Sequence, residues 1–64
     1  MMATSDLPKI GAPATRALAS IGVTRLDELV DRSESELLGL HGFGPRALGI
    51  VRDALAAEGR SMRP

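Results

Sequence analysis

Apolar residues recur along the chain at helical intervals, and no stretch shows the alternation of a strand. Ala14, Ala17, Leu18 and Ile21 fall at i, i+3, i+4 and i+7, with Thr15, Arg16, Ala19 and Ser20 on other faces. This predicts a first helix that starts around Pro13 and ends at Gly22 in a left-handed capping position. Leu26, Leu29 and Val30 predict a second helix of about two turns, with Thr24 as its N-cap and Asp27 in its first turn. Ser33 and Glu36 form a Ser-x-x-Glu capping box that opens a third helix containing Leu37, Leu38 and Leu40. The last helix is predicted from Pro45 to about Glu58, with Leu48, Val51 and Leu55 in line, Ala47 and Ala54 widening the stripe, and Gly59 closing it. Ahead of the first helix, Asp6 to Ile10 reads as an irregular turn that tucks Leu7 and Ile10 against the core. The expected organisation is a disordered N-terminus over 1–5, a helical domain over 6–59 and a basic flexible tail over 60–64.

The densest cluster of signals is Leu37 to Leu48, where a helix end, a glycine turn and a helix start fall within twelve residues. Gly42 and Gly44 flank Phe43, so the backbone is free to take positive φ on either side of the ring. Pro45 suits the first position of a helix, where its missing N–H has no intrahelical partner to lose. The N–H groups of Gly44, Arg46 and Ala47 are then left at a helix start that carries partial positive charge, which is a seat for a phosphate-sized anion. The same residues also fit a purely architectural reading, in which the glycines make a tight turn and Phe43 plugs the core. The two readings are compatible if the ring packs inward while the amides face out. A fainter echo links Gly11-Ala12-Pro13-Ala14-Thr15-Arg16-Ala17-Leu18 to Phe43-Gly44-Pro45-Arg46-Ala47-Leu48, since each has a small-residue turn, a proline and then Arg-Ala-Leu. It would fit two helical units packed pseudosymmetrically on their glycine turns.

Size narrows the options. A chain of 64 residues buries only about 60 per cent of its unfolded surface. Without cysteine there is no disulfide or thiolate metal site, and one histidine does not build a zinc centre. Stability must come from close helix packing around a single aromatic, Phe43. Leu37 to Pro45 is too short and too glycine-broken to span a bilayer, and the N-terminus lacks the basic-then-apolar order of a secretion signal, so a cytoplasmic protein is expected. Net charge is zero, but its distribution is uneven. Asp27, Glu28, Asp31, Glu34 and Glu36 against Arg32 leave the middle segment at −4, and the segments on either side each carry +2. If those two ends meet in the fold, one face is basic and the opposite one acidic.

The Gly42-Phe43-Gly44 turn between apolar helices resembles the helix-hairpin-helix motif, which holds a nucleic-acid backbone without reading sequence. The whole order of signals, including Thr24-Arg25-Leu26-Asp27-Glu28-Leu29-Val30 and Ser33-Glu34-Ser35-Glu36-Leu37-Leu38, is similar to the C-terminal domain of the bacterial RNA polymerase alpha subunit. The resemblance runs from about Leu7 to Gly59 and without a gap from Pro13 to Leu55. It implies an all-α, compact four-to-five-helix bundle of helix-hairpin-helix, sterile-alpha-motif-like form, and a free-standing bacterial relative acting in transcription or DNA repair. In that family the DNA-facing surface comes from the first turn of the first long helix, the hairpin and the start of the last helix. The hairpin glycine corresponds to Gly44, and the basic residue after it to Arg46. A polar asparagine of the first helix is replaced by Arg16. The family's principal DNA arginine falls on Pro13, its hydroxyl residue on Ala47 and its acidic residue on Ile50. Phosphate gripping is therefore expected to survive, with little base readout and no sequence-specific promoter role.

The expected function is a small non-enzymatic DNA-binding module acting through Gly42, Gly44, Arg46 and Ala47 of the hairpin and helix start, with Arg16 and Lys9 as cationic helpers. The alternative is a protein-interaction module that kept the fold and lost nucleic acid, meeting a basic partner through Asp27, Glu28, Asp31, Glu34 and Glu36, with Ile50 as an apolar contact. No catalytic group, metal, cofactor or membrane partner is expected: His41 has no nucleophile or carboxylate at motif spacing, and nothing fixes the acidic residues in a shared cage. Protonated, His41 could add a weak phosphate contact. Arg25, Arg32 and Arg52 are expected on solvated faces, and Arg60 and Arg63 on the mobile tail.

Overall fold

The computed structural model describes residues 6–63. The expected disorder of 1–5, and Pro64, lie outside the described residues. Helix α1 spans Ala12–Ser20, a six-residue 3₁₀ helix spans Leu26–Asp31, α2 spans Glu34–Leu38 and α3 spans Pro45–Ala57. No named strand forms among the described residues; two isolated bridges, Asp6 to Arg25 and Ser33 to Arg63, take the place of a sheet. The fold is all-α. Its radius of gyration of 10.7 Å equals the roughly 10.7 Å expected for a globular chain of this length.

The two longer helices end in the same way. After α1, Gly22 takes φ 82°, the Gly22 N–H donates to Ala19 O and the Val23 N–H reaches back to Leu18 O. After α3, Gly59 takes φ 72°, with Gly59 donating to Ala56 O and Arg60 to Leu55 O. Both are Schellman closures, and they turn the chain sharply enough for Val23 and Met62 to return to the core.

The second helix differs from expectation. Leu26 and Leu29 are both buried, as three-residue spacing on a 3₁₀ helix allows, while Val30 is only half-buried. Its N-cap is Arg25, not Thr24, and the cap acceptor is a carboxylate from inside the helix: Glu28 Oε1 accepts from the Thr24 N–H at 2.8 Å and the Arg25 N–H at 3.1 Å. Those two bonds hold the Glu28 carboxyl below its ordinary pKa, with the neighbouring Arg25 and Arg32 charges adding to the effect. A carboxyl whose folded pKa is depressed contributes stability above its unfolded pKa and loses it as pH falls through the folded value. Glu28→Gln should therefore lower the urea midpoint at pH 7, and the gap from the unmodified chain should close as the pH is brought below the carboxylate range. A gap that stays constant with pH would remove charge from this account.

Ser33 caps α2 as expected, its Oγ accepting from the Glu36 N–H at 3.0 Å. The reciprocal half of the box is not made; Glu36 pairs instead with Arg32 at 2.6 Å. Leu40 lies beyond α2, in the turn, where its N–H donates to Leu37 O and its carbonyl accepts from Phe43. Leu38 faces solvent, 45% exposed.

The acidic segment is largely occupied by its own arginines. Arg25 pairs with Asp27 at 3.1 Å, Arg32 with Glu36, and Arg52 of α3 with Glu34 at 3.3 Å. Arg32 also donates to Ile21 O at 2.8 Å, joining the end of α1 to the start of α2. Arg25 and Arg52 lie on solvated faces as expected while making these pairs, and Arg32 is half-buried. The last described residues are not a free tail. Met62 is buried, the Glu34 N–H donates to Arg63 O at 2.8 Å, and the Arg63 N–H donates to Arg32 O.

The core is a single cluster drawn from every helix. Leu18, Leu29, Leu37, Val51 and Leu55 are fully buried, with Phe43, Ala47, Leu48 and Met62 completing it. Leu7 and Ile10 pack half-buried on its edge, as expected of the two apolar residues in that turn. Helix α3 packs against both the 3₁₀ helix and α2, and its N-terminus shares a concavity with that of α1.

Candidate nucleic-acid interface

Two helix starts capped by glycine make this surface. Gly11, at φ 91°, is the N-cap of α1, with Pro13 in the first turn, and its carbonyl accepts from both the N–H and the Oγ of Thr15. Gly44 is the N-cap of α3, followed directly by Pro45, and its carbonyl accepts from the Leu48 N–H at 3.0 Å. Neither cap receives a side-chain hydrogen bond. In the first turn of α3, the N–H groups of Gly44, Arg46 and Ala47 precede the first residue that can bond within the helix, so they are left for an outside acceptor.

The two hairpin glycines do different things. Gly42 takes φ 92°, whereas Gly44 is extended at φ −121° and ψ −177°. Positive φ is needed on one side of Phe43 only. A Cβ on Gly42 would stand 2.9 Å from the carbonyl oxygen of Pro13, so the hairpin backbone lies directly against the first turn of α1. A Cβ on Gly44 would meet nothing within 4 Å. Phe43 points inward, 4% exposed, while the backbone on either side borders the surface, so the architectural and the functional readings of the turn share the same residues.

Between the two helix starts lies an open concavity of about 480 Å³. Lys9, Gly42, Gly44, Arg46 and Ala47 all line it, together with Gly11. Of the six residues singled out in the sequence, the fold brings these five into one hollow. Ala47 is buried, so what it can offer a ligand is its main-chain amide. Arg16 lies next door, in a second concavity of about 470 Å³ that shares Pro13 and Gly42 with the first and also contains His41. The offset follows from the position of each arginine after its glycine cap. Arg46 is the second residue of α3, whereas Arg16 is the fifth of α1, most of a turn further from the helix mouth. Gly11 was not singled out as part of the site, although its Gly-x-Pro spacing beside the Gly-Pro of Gly44 and Pro45 was a usable signal.

The electrostatics favour an anion. Lys9, Arg16 and Arg46 are exposed and make no ion pair among the described residues, and no carboxylate lines either concavity. In the middle segment Asp27, Glu36 and Glu34 are held elsewhere by Arg25, Arg32 and Arg52. No group of three or more His, Cys, Asp or Glu among the described residues is placed to hold a metal ion, and no helix is long and apolar enough to cross a membrane.

Over 57 residues, 89% of this chain, the sequence is 32% identical to the DNA-directed RNA polymerase subunit alpha of Geobacter metallireducens. The resemblance to the polymerase alpha subunit is shown. The matched region amounts to 17% of that subunit's length, so the chain corresponds to a small part of it. That extent and the all-α fold agree with the similarity to the alpha C-terminal domain drawn from the order of capping and hairpin signals. No family model matches the chain, and no solved structure does.

Proposed function

We propose that this alpha-subunit-like chain is a non-enzymatic DNA-binding module that holds the sugar-phosphate backbone in the hollow between its two glycine-capped helix starts, with little dependence on sequence. The observation that carries the reading is the convergence of Lys9, Gly44, Arg46 and Ala47 on one carboxylate-free concavity at a helix start. Phosphate oxygens are recognised by such donors, and the partial positive charge at a helix start adds to the attraction. Pro13 places no side-chain donor where the resemblance puts the groove-reading arginine, so the contacts that remain are to the backbone. The match to a subunit of a DNA-directed polymerase agrees with a nucleic-acid ligand.

With two to four phosphates neutralised, the log–log salt slope should be about −2 to −4, and the dissociation constant on the order of 10⁻⁴ to 10⁻⁶ M. Titrating short duplex DNA into the labelled protein at two salt concentrations should move the Gly42, Gly44, Arg46 and Ala47 amide resonances together. Unmoved resonances at low salt would end the proposal. Arg46→Ala should weaken binding equally across DNA sequences and flatten the salt slope by about one unit, with the fold intact because the side chain is exposed. An unfolded Arg46→Ala variant would show that the outward face of α3 is misassigned.

The alternative, a protein module acting through its acidic face, has less support. Asp27, Glu34 and Glu36 are engaged in ion pairs and Glu28 by two backbone amides, which leaves Asp31 as the member of that group with no such engagement. A stoichiometric protein partner that survives nuclease treatment would revive it.

A further inference from the structure

Next to the proposed backbone seat lies a second hollow that the function as stated does not use. It is formed by Pro13, Arg16, Ala17 and Ser20 of α1 on one side and by His41 and Gly42 of the hairpin on the other. The two hollows share Pro13 and Gly42, so they adjoin one another across the first turn of α1. Lys9 and Arg46 line one of them, and Arg16 and His41 the other.

We propose that Arg16 and His41 form a second phosphate subsite, occupied by a neighbouring phosphate of the same bound strand and filled more strongly when His41 is protonated. This rests on the DNA-binding reading above, and it extends that reading from a single seat to a track with a pH-sensitive end. The observations are geometric. Arg16 and His41 are exposed, neither makes an ion pair or side-chain hydrogen bond among the described residues, and no acidic residue lines their hollow. Arg16 is the charged group that faces His41 from α1; Pro13, Ala17 and Ser20 are uncharged, and Gly42 contributes backbone alone. Ser20 Oγ is already committed to Ala17 O at 2.6 Å.

Beside Arg16 in the free protein, a protonated imidazole meets like charge. A phosphate placed between the two cations reverses that balance, so DNA binding and proton uptake by His41 favour each other. Histidine is the side chain whose charge ordinarily changes between pH 5 and 8, whereas aspartates and glutamates stay largely ionised down to about pH 5.

The test is duplex DNA affinity and its salt slope for the full chain at pH 7.5 and pH 5.5. Binding should tighten by about three- to fivefold at the lower pH, the size of one exposed ion pair. The salt slope should steepen by about 0.9, the increment for one further phosphate. His41→Gln should abolish both changes, and His41→Arg should bind at both pH values as the unmodified chain does at pH 5.5. Arg16→Ala should weaken binding at either pH and reduce the pH response. Measurable DNA binding with the same pH response in His41→Gln, or with none in the unmodified chain, overturns the subsite and leaves the first seat standing. Absence of DNA binding at both pH values overturns the DNA-binding reading itself.

Discussion

Replacing Phe43 with alanine should destabilise the domain by roughly 3 to 5 kcal/mol. A chain of 64 residues has a total stability of about 3 to 10 kcal/mol, so this single change should leave a large unfolded population at 37 °C. The reason lies in how the ring is delivered. The Phe43 N–H donates to Leu40 O at 3.1 Å, Gly42 turns the chain at positive φ, and the ring enters a core that also holds Leu18, Leu37 and Leu48. It is the sole aromatic in the sequence, and the remaining core residues, all aliphatic but Met62, leave its space largely unfilled. Urea unfolding followed by circular dichroism gives the stability, and the spread of amide resonances reports whether the packing survives. Phe43→Leu, which keeps most of the volume, should cost clearly less. An unchanged urea midpoint for Phe43→Ala would mean that the hairpin is held by its backbone alone.

That role for Phe43 was legible from Gly-Phe-Gly followed by proline, because few backbone paths join two helices through those residues. The faces of α1 and α3 were equally legible: Ala14, Ala17 and Leu18, and Leu48, Val51 and Leu55, are buried where helical spacing put them. The second helix was harder. Leu26 and Leu29 are three apart, which suits a 3₁₀ helix as well as an α-helix, and over six residues the two periods do not separate. Thr24 is a favoured capping residue, yet the Glu28 carboxylate takes the Thr24 and Arg25 amides itself, a choice set by side-chain reach rather than by residue type. The docking of Arg63 against Arg32 and Glu34 runs through main-chain groups, so it leaves almost no mark in the sequence beyond the lone apolar Met62.

The charges teach a related lesson. Counted along the chain, five carboxylates between Asp27 and Glu36 look like an exposed acidic face. In three dimensions Arg32 from within the stretch, Arg25 from just before it and Arg52 from α3 neutralise much of it. The Arg32 to Glu36 pair sits at i, i+4, a spacing that was available in the sequence. The Arg52 to Glu34 pair depends on α3 crossing α2, which no local pattern reveals. Among the cations outside those pairs, Lys9, Arg16 and Arg46 lie around the two glycine-capped helix starts. That grouping could be read from residue types, but the separation of Arg16 into its own hollow could not, because it depends on how far into α1 the arginine falls and where the hairpin crosses the helix.

That crossing is tested most sharply by the two hairpin glycines, whose identical residue type conceals different requirements. Gly42→Ala should cost at least about 1 to 3 kcal/mol from the positive φ alone. It should cost more in total, because the added methyl would stand 2.9 Å from Pro13 O and neither partner of that contact is a flexible side chain. To relieve it the hairpin must move off the first turn of α1, and since Gly42 and Pro13 border both hollows, DNA affinity should fall in the fraction that stays folded. Gly44→Ala meets open space at an ordinary extended φ, so its cost should be limited to the poorer N-capping of alanine, a few tenths to about 1 kcal/mol. Its amide is retained, and with it the proposed phosphate contact. Urea midpoints and DNA titrations of the two variants side by side should therefore diverge on both measures, with Gly42→Ala much the worse. Equal behaviour would mean that the hairpin does not press on α1, and the shared rim of the two hollows would be lost with it.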